Sequence, residues 1–249
     1  MPDCPKSICL SVAAPAFNED KGIDQVVSRW HEFLTGQAEI AQFEIIVCND
    51  GSTDITGDIL NELASRYPEV RPIHFSHNQG AAAALNAAIA KTQFEWVLLI
   101  DSDDQFPIEN YSKLLAGQRA SQALVISGIR NKKDNFFARF GSVASGFICN
   151  LVHGSQIKDF NSAFKLVEGP LLRSLVLEAR GMNYSTEITS RLLETGALIV
   201  EVDIEHRLRT FGKSNLKLMR DSFYRFLFVG YISLRQLLLK LHIVGIVKK

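Results

Sequence analysis

The chain has 249 residues, 47% hydrophobic and 22% charged, which is enough apolar length for a substantial core and excludes a disordered tail or a coiled coil. Its 27 Lys/Arg balance 27 Asp/Glu, so the whole-chain charge does not point to nucleic acid. The balance is uneven: from Glu205 onward ten basic residues face two acids, giving a +8 tail on a −8 body. Cys4, Cys9, Cys48 and Cys149 lack CxxC spacing and are too few for a disulfide framework, which fits buried thiols in a reducing compartment. Asp3 and Lys6 interrupt the N-terminus, so neither a signal peptide nor an amino-terminal anchor is expected and the predicted location is cytoplasmic.

Taken in order, residues 8–14, 43–48, 70–75, 96–100 and 123–127 read as short buried strands. Residues 23–34, 55–67, 81–91 and 109–117 lie between them with apolar residues at helical spacing. That alternation predicts an α/β fold, a Rossmann-like and mainly parallel sheet with helices on both faces, whose ligands bind beyond the carboxyl ends of the strands. From about residue 130 the pattern turns more helical, up to a strand pair expected at 197–204 and 205–209. No linker divides the chain, so residues 1–214 are expected to form one domain and residues 215–249 a helical extension.

The polar loops after these strands carry the chemistry. Asp101, Asp103 and Gln105 alternate just past a buried strand, so an extended backbone would point three oxygen-bearing side chains to one side. Such hard donors suit Mg²⁺ or Mn²⁺ bridging a diphosphate. In the stretch at 49–54, Gly51 permits a tight turn and Thr53 or Asp54 can cap the next helix, while Asp50 at the strand's end faces the presumed crevice. Gly80, followed by four alanines, opens a helix whose amides could approach phosphate or sugar. His74 and His77 lack ligand spacing.

Seven ordered motifs then carry a resemblance: PAFNE at 15–19, NDGSTD at 49–54, NQGAAAA at 78–84, DSDDQFP at 101–107, GIRNKK at 128–133, DFNSAFK at 159–165 and RTFGKS at 209–214. The chain resembles the family 2 glycosyltransferases with a GT-A fold, and within them the polyprenyl-phosphate sugar transferases of the dolichol-phosphate mannose synthase and undecaprenyl-phosphate transferase group. That resemblance implies that Pro15, Phe17, Glu19 and Asp50 hold the nucleotide, with Gly80 beside it and Asp101 near ribose and metal. It implies that Asp101, Asp103 and Gln105 ligate a divalent ion, Mg²⁺ or Mn²⁺. Arg130, Arg139, Ser142, Arg209 and Ser214 match phosphate-binding positions, and Asp159 could steer the acceptor. Asn49, Asp104 and Lys165 depart from the family pattern, and Lys165 keeps the charge of the usual arginine without its bidentate geometry.

A sugar hydroxyl acceptor needs a general base, which in this superfamily is usually the Asp of a Glu-Asp pair, but here Glu187 is followed by Ile188. A phosphate monoester is already ionised and needs cations instead, which Arg130, Arg139, Arg207 and Arg209 supply. Residues 223–241 placed on a helix put Phe223, Phe226, Leu227, Gly230, Leu234, Leu237, Leu238 and Leu241 along one face, with Arg225, Arg235 and Lys240 opposite. The stretch falls short of the roughly 20 uncharged apolar residues that span a bilayer and reads as a basic interfacial helix. The same face could instead pack on the protein's own core or on a twin subunit. The expected function is therefore inverting, metal-dependent transfer of a sugar from a nucleoside-diphosphate donor to a polyprenyl phosphate, peripheral on the cytosolic face of a membrane, alone or with a membrane partner subunit or as a homo-oligomer. Two alternatives stay open: a soluble transferase acting on a saccharide or small-molecule hydroxyl with Glu187 as base, and a catalytically silent nucleotide-sugar sensor.

Overall fold

The computed structural model describes residues 7–130, 136–179, 183–208 and 218–240. Side chains within the helix that starts at Phe136 are described from Ser145, and those within the last helix over residues 226–238. In chain order the elements are β1 (Ile8–Ala16), α1 (Ile23–Thr35), β2 (Ile40–Asn49), α2 (Thr56–Arg66), β3 (Val70–His74), α3 (Ala81–Lys91), β4 (Trp96–Leu99), α4 (Tyr111–Ser121), β5 (Val125–Arg130), α5 (Phe136–His153), β6 (Lys165–Glu168), α6 (Gly169–Arg173), α7 (Tyr184–Glu194), β7 (Ile199–Ile204) and α8 (Leu218–Lys240).

Periodicity explains the first half. In α1 the buried Ile23, Val26, Val27, Trp30 and Leu34 recur at three- and four-residue spacing, so one stripe faces the core. In β1 the last seven residues are all buried. Successive strand residues point to opposite faces, so an unbroken buried run means that the sheet is covered on both sides. The alanines of α3 let that helix lie close on β1, with Ala82, Ala84 and Ala88 buried there.

The seven strands form one sheet in the order β3-β2-β1-β4-β6-β5-β7. All pairs are parallel except those of β6, which runs antiparallel between β4 and β5, with Leu99 opposite Lys165 and Val125 opposite Val167. This four-residue strand, with Lys165 and Glu168 at its ends, is not among those that periodicity predicts. The predicted strand at 205–209 also differs: β7 pairs in parallel with β5, and residues 205–208 form no strand. Their backbone groups are engaged elsewhere, since Asn110 exchanges two hydrogen bonds with the Glu205 backbone and Arg207 N donates to Gln105 O at 2.8 Å. A second, smaller cluster of Cys149, Ile157, Phe160 and Val229 joins α5 to α8.

Candidate active site

The loops after β1, β2 and β3 are interlocked. Asn18, at φ 55°, donates from its N–H to Ser52 Oγ at 2.9 Å, and its Oδ1 accepts from Thr53 N at 2.9 Å. Glu19 is buried, and its N–H donates to Thr56 Oγ1 at 2.9 Å, while Asp54 accepts from Thr56 N at the start of α2. Gly51 sits at φ 64°, where a Cβ would lie 2.3 Å from the His77 carbonyl carbon, so only glycine fits. Pro15 lies in β1, and its carbonyl accepts from Ser102 Oγ at 2.7 Å, joining the first loop to the fourth. Phe17 is half-buried beside them.

Asp50 is almost wholly buried and grips the third loop: its carboxylate accepts from Gln79 N at 2.7 Å, Gly80 N at 2.9 Å and Asn78 Nδ2 at 2.9 Å. Burial pushes its pKa up, against the lowering effect of the two amides and of His77. The amides of Gln79 and Gly80, just before α3, are thus donated to Asp50. Asp50 and Gly80 are brought together, but through each other.

The fourth loop also departs from the alternation argument. β4 ends at Leu99, and the next residues are bends in which Asp104 takes φ 63° and turns inward to pair with Arg29 of α1. Asp101, Asp103 and Gln105 therefore do not line one side of an extended segment. Asp103 Oδ1 accepts from Gln105 N at 3.1 Å, Gln105 Nε2 donates to Arg207 O, and Asp101 accepts from Tyr184 Oη. No group of three or more His, Cys, Asp or Glu among the described residues converges on one ion. Mg²⁺ and Mn²⁺ at nucleotide sites are held by one or two carboxylates completed by substrate phosphates and water, and Asp101 with Asp103 suits that open coordination rather than a closed cage.

Across the sheet, Arg130 at the end of β5 and Asp159 form a bidentate pair, Nε to Oδ2 at 2.8 Å and an Nη to Oδ1 at 3.0 Å. The Arg130 N–H adds a third bond to the same carboxylate, and Asn161 N donates to Oδ1 at 3.2 Å. Asp159 is 2% exposed, so it orients the guanidinium. Arg207 pairs with Glu205 at 2.7 Å on the surface. Arg139 and Ser142 lie on α5 outside the described side chains, and Arg209 and Ser214 lie outside the described residues.

Lys165 does not reach a ligand position. It is 1% exposed, donates from Nζ to Ser127 Oγ at 2.9 Å, and burial pushes its pKa down to about 8 against the raising effect of Asp159 and Glu201. Glu187 is equally spent: wholly buried, it accepts from Glu178 N and Ala179 N at 2.7–3.0 Å and pairs with Arg191. Sequence reasoning missed Tyr184, because an aromatic opening a helix carries no sign of a carboxylate 83 residues away. Arg235, expected opposite the apolar face of α8, turns to the body and pairs with Glu194 at 2.7 Å.

The glycosyl transferase family 2 model matches residues 11–173 of this chain. A dolichyl-phosphate beta-glucosyltransferase of Trichomonas vaginalis is 30% identical over 175 residues, 65% of this chain and 54% of that protein. A bactoprenol glucosyl transferase of Shigella phage SfX is 35% identical over 118 residues, 47% of this chain and 38% of its own length. The matched segments thus span about half or less of these relatives. Among solved structures, glucosyl-3-phosphoglycerate synthase of Mycobacterium tuberculosis in complex with Mn²⁺, uridine diphosphate and phosphoglyceric acid superposes with a TM-score of 0.70 at 19% identity, covering 91% of this chain and 78% of that one. The fold is GT-A, with the antiparallel β6 inside an otherwise parallel sheet. By its matched span and by the motifs that the strand-end loops hold together, this chain belongs to glycosyl transferase family 2.

Proposed function

We propose that the chain transfers one sugar from a nucleoside-diphosphate sugar to a polyprenyl phosphate, with inversion at the anomeric carbon. The observation that carries this reading is the state of Glu187, the residue placed to be a base for a hydroxyl acceptor: buried, bound to two backbone amides and paired with Arg191. A phosphate monoester dianion attacks without a base. Its oxygen forms the new bond to the anomeric carbon, the bond to the diphosphate breaks, and the nucleoside diphosphate leaves as a trianion, so no proton has to move. Two relatives act by name on dolichyl phosphate or bactoprenol, which supports the same acceptor class.

In this reading Pro15, Phe17, Glu19 and Asp50 frame the nucleotide, and Asp101 and Asp103, with Gln105 beside them, would hold a Mg²⁺ or Mn²⁺ ion. Such an ion, when bound, neutralises charge on the leaving diphosphate. Arg130, held in plane by Asp159, receives the acceptor phosphate, and Arg139, Ser142, Arg209 and Ser214 are assigned to the same task by motif. Binding both substrates in line turns a two-body reaction into a one-body step.

The acceptor's lipid tail calls for an apolar surface. Phe226, Leu227, Tyr231, Leu234 and Leu237 of α8 are exposed, as are Phe147 and Leu151 of α5, which packs against it. No helix among the described residues is long and apolar enough to cross a membrane. The +8 tail attracts anionic lipid, which favours a peripheral position on the cytosolic face. The deciding experiment offers UDP- and GDP-sugars with Mn²⁺ and compares sugar transfer to undecaprenyl phosphate in detergent with transfer to free saccharides. Label passing only into the lipid phosphate is the expected result. Transfer to a saccharide hydroxyl that disappears in Glu187→Gln, with the variant still folded, overturns the reading.

A further inference from the structure

Helix α7 is buried along nine consecutive residues, 184–192, yet most of them are polar: Ser185, Thr186, Glu187, Thr189, Ser190 and Arg191. Burying polar groups costs free energy unless each finds a partner, so a helix of this composition is not explained by core packing. The partners of its first turns lie on the loops around the site. Tyr184 Oη donates to Asp101 in the loop after β4. Thr186 Oγ1 donates to Asn161 Oδ1 at 2.5 Å, and Asn161 N donates in turn to the Asp159 carboxylate that holds Arg130. Residues two apart on a helix leave it roughly 200° apart, so one turn reaches both loops. Glu187 and Arg191 fix that turn from behind, through Glu178 N, Ala179 N and the Glu178 carboxylate.

We propose that Tyr184 and Thr186 are positioning residues that set the distance and orientation between the donor-metal loop at Asp101 and the acceptor cation Arg130. The inference rests on the reading given under Proposed function and assigns to α7 the alignment of the two reactants. Tyr184 orients the Asp101 carboxylate as outer partners orient metal ligands, and Thr186 holds the Asp159 loop, hence Arg130. The two roles separate experimentally.

The test uses Tyr184→Phe and Thr186→Val, which remove one hydroxyl each with little change in shape, in the full chain. Bound Mn²⁺ is read by the loss of the free-ion electron paramagnetic resonance signal in the presence of uridine or guanosine diphosphate, whichever the wild type binds. Tyr184→Phe is expected to weaken Mn²⁺ about 10- to 100-fold while nucleotide binding in chelator stays as in the wild type. Thr186→Val is expected to leave Mn²⁺ affinity unchanged and to lower kcat roughly tenfold at saturating donor. Thermal unfolding confirms that both variants are folded; a variant that unfolds is replaced, and read in its place, by Tyr184→Leu or Thr186→Ala, which also lack the hydroxyl, and Thr186→Ser should restore the wild-type rate. Wild-type Mn²⁺ affinity in the folded position-184 variant together with wild-type kcat in Thr186→Val overturns the inference alone. A wild-type protein that takes no Mn²⁺ with either nucleotide overturns the reading of the site and this inference together.

Discussion

The two halves of the site are built differently. On the β1–β2–β3 side, side chains bind the backbone of neighbouring loops: Asp50 takes the amides of Gln79 and Gly80, Asn18 that of Thr53, Asp54 those of Asp20 and Thr56. On the β5–β6–α7 side, pairs between side chains join the bonds to backbone: Arg130 with Asp159, Tyr184 with Asp101, Thr186 with Asn161, Arg191 with Glu178, Glu187 and Glu194. A carboxylate that organises backbone amides fixes a loop's shape, and that shape suits a ligand common to many donors. Paired side chains fix the direction of a charge, and one residue change can redirect it. In the proposed reading the first kind of construction frames the nucleotide and the second aims the charge that meets the acceptor.

Substitutions test that contrast, and the largest effect is expected at Asp103→Ala. Losing a carboxylate from the metal loop should remove several kcal/mol of charge stabilisation, roughly 10³-fold in kcat, with the fold intact by circular dichroism. Activity that persists in the variant, or in wild type with chelator, removes the metal from the donor half. Asp159→Asn follows on the acceptor side: the amide can no longer accept both guanidinium bonds, so kcat should fall about 10²-fold with a smaller change in donor KM. If donor KM rises as much as kcat falls, the two halves are not separate.

Glu187→Gln should act on stability instead of the chemical step. Arg191 keeps Glu178 and Glu194, but the amide cannot accept from both Glu178 N and Ala179 N, which costs about 1–3 kcal/mol, read in chemical denaturation, while the rate per folded molecule stays far above that of Asp103→Ala. The smallest effect concerns Lys165. Its folded pKa, about 8, lies below the ordinary 10.5, so between those values the unfolded chain binds more protons and stability rises with pH. Denaturation midpoints across that window should climb in the wild type and lose this rise in Lys165→Met. A flat wild-type profile would show that Lys165 is not held in a desolvated site.

The donor half was legible because its strands and helices are strongly periodic and its loops are contiguous in sequence. β1, β2, β3, α1 and α3 were placed to within a few residues, and α3 matches at both ends. The acceptor half was less legible because β6 is short and reversed and its contacts are specific side-chain pairs that no periodicity announces. Strand β6 is four residues bounded by Lys165 and Glu168, too short and too charged at its ends to read as a buried strand, yet it lies between β4 and β5. The alternation predicted for Asp101, Asp103 and Gln105 failed because β4 ends at Leu99 and residues 102–106 bend, with Asp104 left-handed and paired with Arg29. Glu187, a possible base by residue type, is a buried anchor: its carboxylate turns back to the amides of Glu178 and Ala179 and to Arg191 one helical turn on, a use of the side chain that residue type alone does not disclose.

The reversed direction of β6 has a consequence for how such a site can change. Every other strand delivers its outgoing segment to the ligand edge, whereas β6 delivers its incoming one, so residues 159–164 arrive at the same edge that Arg130 leaves. The chain between β5 and β6 is therefore a closed excursion, beginning and ending at the site and anchored at its two feet by Arg130 and Asp159. In the proposed reading, a change near either foot acts on the acceptor side of the site, while the loops that frame the nucleotide stand on β1, β2 and β3 and keep their own bonds.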